Sequence, residues 1–363
     1  DNLSPSGLAD LAAEAPPSLD PGDFPIKNWD RYDIRSVLGA GGMGTVYEAY
    51  DPRLKRFVAL KVARGGEPRL KARFLREAQA QARLTHENVC RIYEAGEEQG
   101  AAFIAMQRIE GKTLHEAREE MTLEQKAIVI QGAALAVHEA HRLGIIHRDL
   151  KPGNIMVERT SGGAWKPFVL DFGLARDMAS SDMTATGAFV GTPSFLSPEQ
   201  AAGKPLDRRS DIFSLGATLY YLLAGSPPFG GSQYEVLSQL AMNEPAPLRR
   251  RAPSVPRDLE TVVMKCLERE PVRRYDSARA LAEDLGRFLD GEPVLARPPN
   301  LATRLAKKAR KNKLLLGFAA ASVLAAATGL AVGVRGRIEA REQVRIANQF
   351  DQRVRHMEDR LRY

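Results

Sequence analysis

The sequence predicts an α+β chain of two lobes, a small β-rich one followed by a larger helical one, with a single membrane-spanning helix beyond them. Three observations carry this. Short runs between residues 32 and 109 alternate with a period of two, broken by one helical stretch; from Leu123 onward apolar residues recur at helical spacing; and Leu314–Val334 is a run of 21 residues without a charge. At 363 residues, 44% hydrophobic and 27% charged, the chain has the composition of a globular protein rather than a disordered one. Two cysteines, Cys90 and Cys266, cannot build a disulfide framework and fit a reducing compartment. The net charge of +7 is gathered in particular segments. It marks a membrane-proximal region, and no nucleic-acid partner is expected.

Residues 1–30 carry several prolines and no apolar signal segment, and read as a flexible leader with at most a short helix around Leu8–Ala15. "YDIRSVLG" and "TVYEAY" alternate on either side of a glycine turn, and "FVALKVA" is a third β-rich run after the Asp51-Pro52 turn. Arg69–Leu84 has helical spacing through Leu70, Phe74, Leu75, Ala78 and Ala82; "VCRIYEAG" and "AAFIAMQRI" then supply two more strands. "LEQKAIVIQGAALAVHEAHRLG" opens the helical lobe. The lobes so defined are 31–108 and 112–290, and a cleft between them is the natural place for a site.

A Pro-rich and basic linker, 291–313, precedes the uncharged run. A buried Ala/Leu-rich helix is the alternative to a span, but this segment has no polar face and is flanked by basic residues at both ends. Six Lys/Arg fall within 304–313 against four after the run (Arg335, Arg337, Arg341, Arg345), which places the N-terminal side in the cytoplasm of a single-pass membrane protein. Gly317, Ala321, Ala325, Gly329 and Gly333 step by four and offer a seam for a homodimer. The basic run suits anionic lipid headgroups. Residues 335–363 are charged and loosely amphipathic, and read as the start of a longer extracytoplasmic region.

"LGAGGMGTVYEA" contains Gly39, Gly41 and Gly44 in G-x-G-x-x-G spacing. A dinucleotide fold needs a helix starting at the third glycine and an acidic residue about 20 positions on. Here the β-branched "TVYEAY" follows, and the next strand carries Lys61. The glycines therefore join two strands, a hairpin whose backbone N–H groups can approach phosphates.

Further motifs follow in order: Glu77 in "RFLREAQ", then "HRDLKPGN" with His147, Arg148, Asp149, Lys151 and Asn154. After these come "DFG" with Asp171, Phe172 and Gly173, "GTPSFLSPE" and "SDIFSLG". With the hairpin and Lys61 in "VALK", this set resembles the eukaryotic-like Ser/Thr protein kinases of bacteria over residues 32 to about 290. The resemblance implies the bilobal kinase fold, ATP and Mg²⁺ as cofactors, and protein substrates.

It also implies roles. Gly39, Ala40, Gly41, Gly42 and Gly44 would cover the phosphates, with Val46 and Ala59 against the adenine. Met106 would be the gatekeeper, and the backbone of Gln107 and Ile109 would meet the adenine edge. Lys61, paired with Glu77, would hold the α- and β-phosphates. Asp149 would take the hydroxyl proton and Lys151 steady the γ-phosphate, while Asn154 and Asp171 ligate Mg²⁺. His147 is expected to be structural, and Glu199 to pair with Arg274.

Arg148 would meet an activation-loop phosphate, for which Thr184 and Thr186 are the autophosphorylation candidates. Thr192 and the Lys151-Pro152 pair fit Ser/Thr rather than Tyr specificity. Ser197 stands where the family's A-P-E has alanine. Gln81 stands where a small or apolar residue is usual, with loosened packing, altered inhibitor binding or no effect all open. The competing readings are a pseudokinase acting as a nucleotide-binding scaffold, and a small-molecule kinase. The first is opposed by the complete set Lys61, Glu77, Asp149, Asn154 and Asp171, the second by the peptide-binding look of "GTPSFLSPE".

Overall fold

The computed structural model describes residues 24–41, 44–64, 68–172 and 193–297, with a few isolated positions between 322 and 345. Residues up to Arg297 form one compact unit and Pro298–Tyr363 a second. In the first unit, the alternating runs pair as β1 (Asp33–Gly41), β2 (Gly44–Asp51), β3 (Arg56–Ala63), β4 (Ile92–Glu98) and β5 (Ala101–Gln107). They form an antiparallel sheet of order β1-β2-β3-β5-β4, with Val46 opposite Lys61 and Ala59 opposite Met106.

Helix α1 (Pro68–Ala82) brings Phe74 and Ala78 into one cluster with Ala59, Ala102, Ile104 and Met106. A separate cluster forms with the segment that precedes β1. Phe24 and Ile26 are buried there, Phe24 stands edge-on to Tyr47 at 5.0 Å, and Trp29 stands edge-on to Phe103 at 4.8 Å. The leader expected to run to residue 30 therefore gives way to folded chain by Phe24. Irregular backbone without strand or helix can still deliver aromatic side chains to a sheet. Arg31 fixes its end, donating to Asp51 at 2.7 Å and Glu94 at 2.9 Å, while the Tyr32 hydroxyl donates to Glu94 at 2.7 Å.

The second lobe holds α2 (Leu123–Arg142), α3 (Pro198–Ala201), α4 (Arg209–Ala224), α5 (Gln233–Met242), α6 (Leu248–Arg251), α7 (Arg257–Cys266) and α8 (Ala278–Leu289). It also holds a small antiparallel sheet, β6 (Gly111–Thr113), β7 (Ile155–Arg159) and β8 (Trp165–Val169), in a lobe the sequence suggested to be dominated by helices. Strands this short carry too little periodicity to register.

Thr122 and Gln125 cap α2 reciprocally, satisfying two orphan N–H groups. Residues Ser210–Leu222 of α4 are all buried, the pattern of a helix at the centre of a lobe. Gly216 allows this, because a Cβ there would lie 2.3 Å from that of Cys266 on α7. The lobe continues past the expected boundary at 290. Asp284, buried on α8, accepts from the Tyr275 hydroxyl at 2.6 Å, the Leu295 N–H at 2.5 Å and the Ala296 N–H at 2.9 Å.

Among the described residues no helix is long and apolar enough to cross a membrane. The run 314–334 lies almost wholly outside them, as do Gly317, Ala321, Ala325, Gly333 and the short helix expected around Leu8–Ala15.

Candidate active site

Lys61 is central in β3, 9% exposed, and its Nζ lies 2.7 Å from Asp171 Oδ2. Desolvation in the cleft works against ionisation of Asp171, but the Lys61 ammonium outweighs it and holds the carboxyl below the usual carboxylate range. Val46, Ala59, Met106, Ile109 and Leu170 form one apolar cluster, so the residues expected around an adenine are brought together. Gln107 is a partial exception. Its N–H donates to the Arg91 carbonyl at 2.8 Å, and its carbonyl lies 3.6 Å from Cys90 Sγ. Only the carbonyl is left to meet a base edge at that position.

The glycines of the hairpin divide by cause. A Cβ on Gly44, whose φ is +155°, would lie 2.1 Å from the Val62 carbonyl oxygen, so the close approach of β3 demands glycine there. A Cβ on Gly39 or Gly41 would meet nothing within 4 Å. Packing among the described residues gives no reason for glycine at those two positions. Ala40 lies between them on β1; Gly42 falls outside the described residues.

Asp149 Oδ2 accepts from Lys151 Nζ at 3.0 Å and from Asn154 Nδ2 at 2.9 Å. Asn154 Nδ2 also donates to the Asp149 carbonyl at 2.7 Å, which fixes the amide and turns its Oδ1 away from Asp149. The Asn154 carbonyl accepts the Leu170 N–H at 2.9 Å, stitching this loop to the residue before Asp171.

His147 is fully buried. Its Nε2 donates to the Leu170 carbonyl at 2.8 Å and its Nδ1 accepts the Asp149 N–H at 3.3 Å. Both nitrogens are engaged, as the structural reading of this residue requires. Arg148 and Asp171 have φ of +66° and +47°, a region that non-glycine residues enter only when their surroundings hold them there.

What holds Arg148 is Asp211, in the first turn of α4. It accepts the His147 N–H at 2.8 Å, the Arg148 N–H at 2.8 Å and His141 Nε2 at 2.7 Å. Burial alone would raise the Asp211 carboxyl; these donors hold it below the usual range. Asp211 stands in "SDIFSLG", and sequence reasoning recognised the motif without the role.

Glu77 does not pair with Lys61. It faces Arg73, one turn earlier on α1, at 3.7 Å, and burial pushes its carboxyl up to about 7 despite the charges of Lys61 and Arg73. Lys61 has two acidic neighbours within reach, and here Asp171 has it. Spacing along the chain identifies the candidates but not the winner.

Glu199 and Arg274 meet as expected, at 2.6 Å and 2.8 Å, both buried, with Ser210 Oγ donating to Glu199 at 2.7 Å. Ser197 in place of alanine has a local cause: it is the N-cap of α3, reciprocally bonded with Gln200. Gln200 in turn donates to the Arg148 carbonyl at 2.6 Å. Gln81, rather than loosening the helix, is hydrogen-bonded at both ends of its amide. Gly173, Thr184, Thr186 and Thr192 lie outside the described residues.

The donor set suits Mg²⁺. One carboxylate (Asp171) and one carboxamide oxygen (Asn154 Oδ1), which accepts no hydrogen bond among the described residues, are what this cation takes when phosphates supply the rest. No group of three or more His, Cys, Asp or Glu among the described residues makes a different metal cage.

Residues 32–285 match the family model for the protein kinase domain. The serine/threonine-protein kinase PknB of Mycobacterium leprae is 40% identical over 276 residues, which cover 73% of this chain and 44% of the relative. Its counterpart in Mycobacterium tuberculosis strain H37Rv is 41% identical over 277 residues, with the same coverage. A probable serine/threonine-protein kinase of Streptomyces coelicolor is 41% identical over 281 residues, 73% of this chain and 41% of the relative. The chain spans less than half the length of these relatives.

Proposed function

The chain belongs to the protein kinase family, and from that premise we propose that it transfers the γ-phosphate of ATP to Ser or Thr hydroxyls of proteins. The observation that carries the reading is the joint placement of Asp149, Lys151 and Asn154 beside the Lys61–Asp171 pair. The stitch from Leu170 to Asn154 keeps the two groups in register. Phosphoryl transfer asks for positioning and charge neutralisation rather than covalent help. Lys61 would hold the α- and β-phosphates, Gly39 and Gly41 leave the backbone open to them, and Asn154 and Asp171 would hold Mg²⁺. Bound there, the cation neutralises triphosphate charge. Asp149 orients the substrate hydroxyl and receives its proton as the oxygen bonds to phosphorus and the bond to the ADP oxygen breaks. Lys151, bonded to Asp149 in the free site, is placed to meet the charge of the transferring group.

Two finer readings belong with this. Thr184 and Thr186 are the proposed autophosphorylation sites, supported by their place between Asp171 and Glu199. The uncharged run 314–334, flanked by Lys313 and Arg335, supports a single membrane span with the kinase domain on the cytoplasmic side and a homodimer through its small-residue seam.

Incubating the 363-residue chain with labelled ATP and a generic basic protein tests the activity. Label should appear on Ser and Thr, vanish in Asp149→Asn, and reach the chain itself unless Thr184 and Thr186 are both alanine. Nucleotide binding without any transfer would turn the reading toward a scaffold.

A further inference from the structure

One turn beyond Glu77 on α1, Gln81 reaches the floor of the same cleft and is 5% exposed. Its Nε2 donates to the Cys90 carbonyl at 2.9 Å, and its Oε1 accepts the Phe172 N–H at 3.2 Å. The two partners lie on different segments. Cys90 leads into β4 and donates its own N–H to the Val169 carbonyl at 3.1 Å. Phe172 directly follows Asp171, whose φ is +47°.

A leucine or methionine would fill much the same volume and leave the Phe172 N–H and the Cys90 carbonyl unanswered. Packing alone does not explain an amide here. The Phe172 ring is already held, 1% exposed and 4.7 Å from the His147 ring. The bond from Gln81 grips the backbone at the residue after the strained one.

We propose that Gln81 is a positioning residue. By accepting the Phe172 N–H it holds Asp171 in its left-handed conformation and ties the placement of that carboxylate to α1, the helix that carries Glu77. The catalytic consequence rests on the kinase reading given above; the tether itself does not. A nucleotide that draws Asp171 toward a bound cation would move α1 with it, and a shift of α1 would re-aim Asp171.

Hydrogen–deuterium exchange at the Phe172 amide, in the nucleotide-free 363-residue chain, reads the tether directly. Gln81→Leu keeps the bulk and removes both bonds; Gln81→Glu keeps the acceptor for Phe172 and loses the donor toward Cys90. Exchange should quicken by about fivefold or more in Gln81→Leu, the scale of one lost hydrogen bond, and stay near wild type in Gln81→Glu. The KM for MgATP should rise severalfold in Gln81→Leu, with kcat within about twofold, because placement of the Mg²⁺ ligand suffers before the chemistry does.

Unchanged exchange in a folded Gln81→Leu protein overturns the proposal. So does equal acceleration in both variants; if the leucine variant does not fold, loss of Phe172 protection in a folded Gln81→Glu protein overturns the proposal and retained protection sustains it. A chain that shows the exchange pattern but transfers no phosphate sustains the tether and removes the kinase reading instead.

Discussion

Lys61 Nζ lies 2.7 Å from Asp171 Oδ2, while Glu77, the partner the sequence offered it, faces Arg73 at 3.7 Å. The two cations and two carboxylates have sorted themselves within one cleft, and Asp171 holds the lysine proposed to meet the phosphates. Replacing Lys61 by methionine removes that cation without a large change of volume. Transfer to a protein substrate should fall by about 10²–10³-fold or more, the scale of losing one preorganised charge. The melting temperature should also fall by a few degrees, because the Asp171 carboxylate loses the ammonium that offsets its desolvation. A steady-state assay beside a thermal melt checks both halves.

Glu77 carries a pH signature. Its carboxyl rises from an ordinary 4.5 to about 7 in the folded chain, chiefly through burial. Between those values the folded state binds more protons than the unfolded state, so this group makes stability fall as pH rises from about 4.5 to 7, and level off above. Glu77→Gln removes the penalty. Relative to wild type it should gain about 1–3 kcal/mol at pH 8 compared with pH 5, read from urea titrations at the two values.

The hairpin glycines should separate stability from binding. Gly44→Ala drives a methyl into the Val62 carbonyl, 2.1 Å away, and should destabilise by roughly 1–3 kcal/mol. Gly39→Ala and Gly41→Ala add a methyl to open space and should leave the melting temperature within a degree or so, while weakening ATP binding severalfold. Calorimetric titration with MgATP distinguishes the three. Unaltered affinity at both Gly39 and Gly41 would count against a phosphate lying on that backbone.

Asp211 should behave as a support rather than a participant. Asp211→Ala strands the N–H groups of His147 and Arg148 and the Nε2 of His141. A loss of about 3–5 kcal/mol is expected, enough to lower Tm by several degrees and to abolish activity at ordinary assay temperature. Because its folded carboxyl titrates below the ordinary 3.8, its stabilisation is whole above that pH and fades as pH falls toward the folded value. The alanine variant should lack that component of acid unfolding in a denaturant series from pH 5 down to pH 2.

Much of this was legible in the sequence because local chemistry decided it. Alternation gave the strands from β1 to β5. The order of Lys61, Glu77, Asp149, Asn154 and Asp171 pointed to residues that the fold brings near one another, and the Glu199–Arg274 bridge was foreseen and found at 2.6 Å. What was hidden depended on distant partners. The role of Asp211 comes from backbone N–H groups 64 and 63 residues away, which no pattern of side chains displays. The choice of Lys61 between Glu77 and Asp171 depends on where α1 settles. Gln81 stood out only as an oddity until its two bonds gave it a purpose.

The segment from Phe24 to Trp29 precedes residue 32, where the match to the family begins. A recombinant fragment trimmed to that match would lose the aromatic cover shared with Tyr47, Val58 and Leu60, and leave a greasy patch on its small lobe. Such a fragment is primed to clump with its own copies, a behaviour easily mistaken for native self-association. The shortest well-behaved piece of this protein starts no later than Phe24.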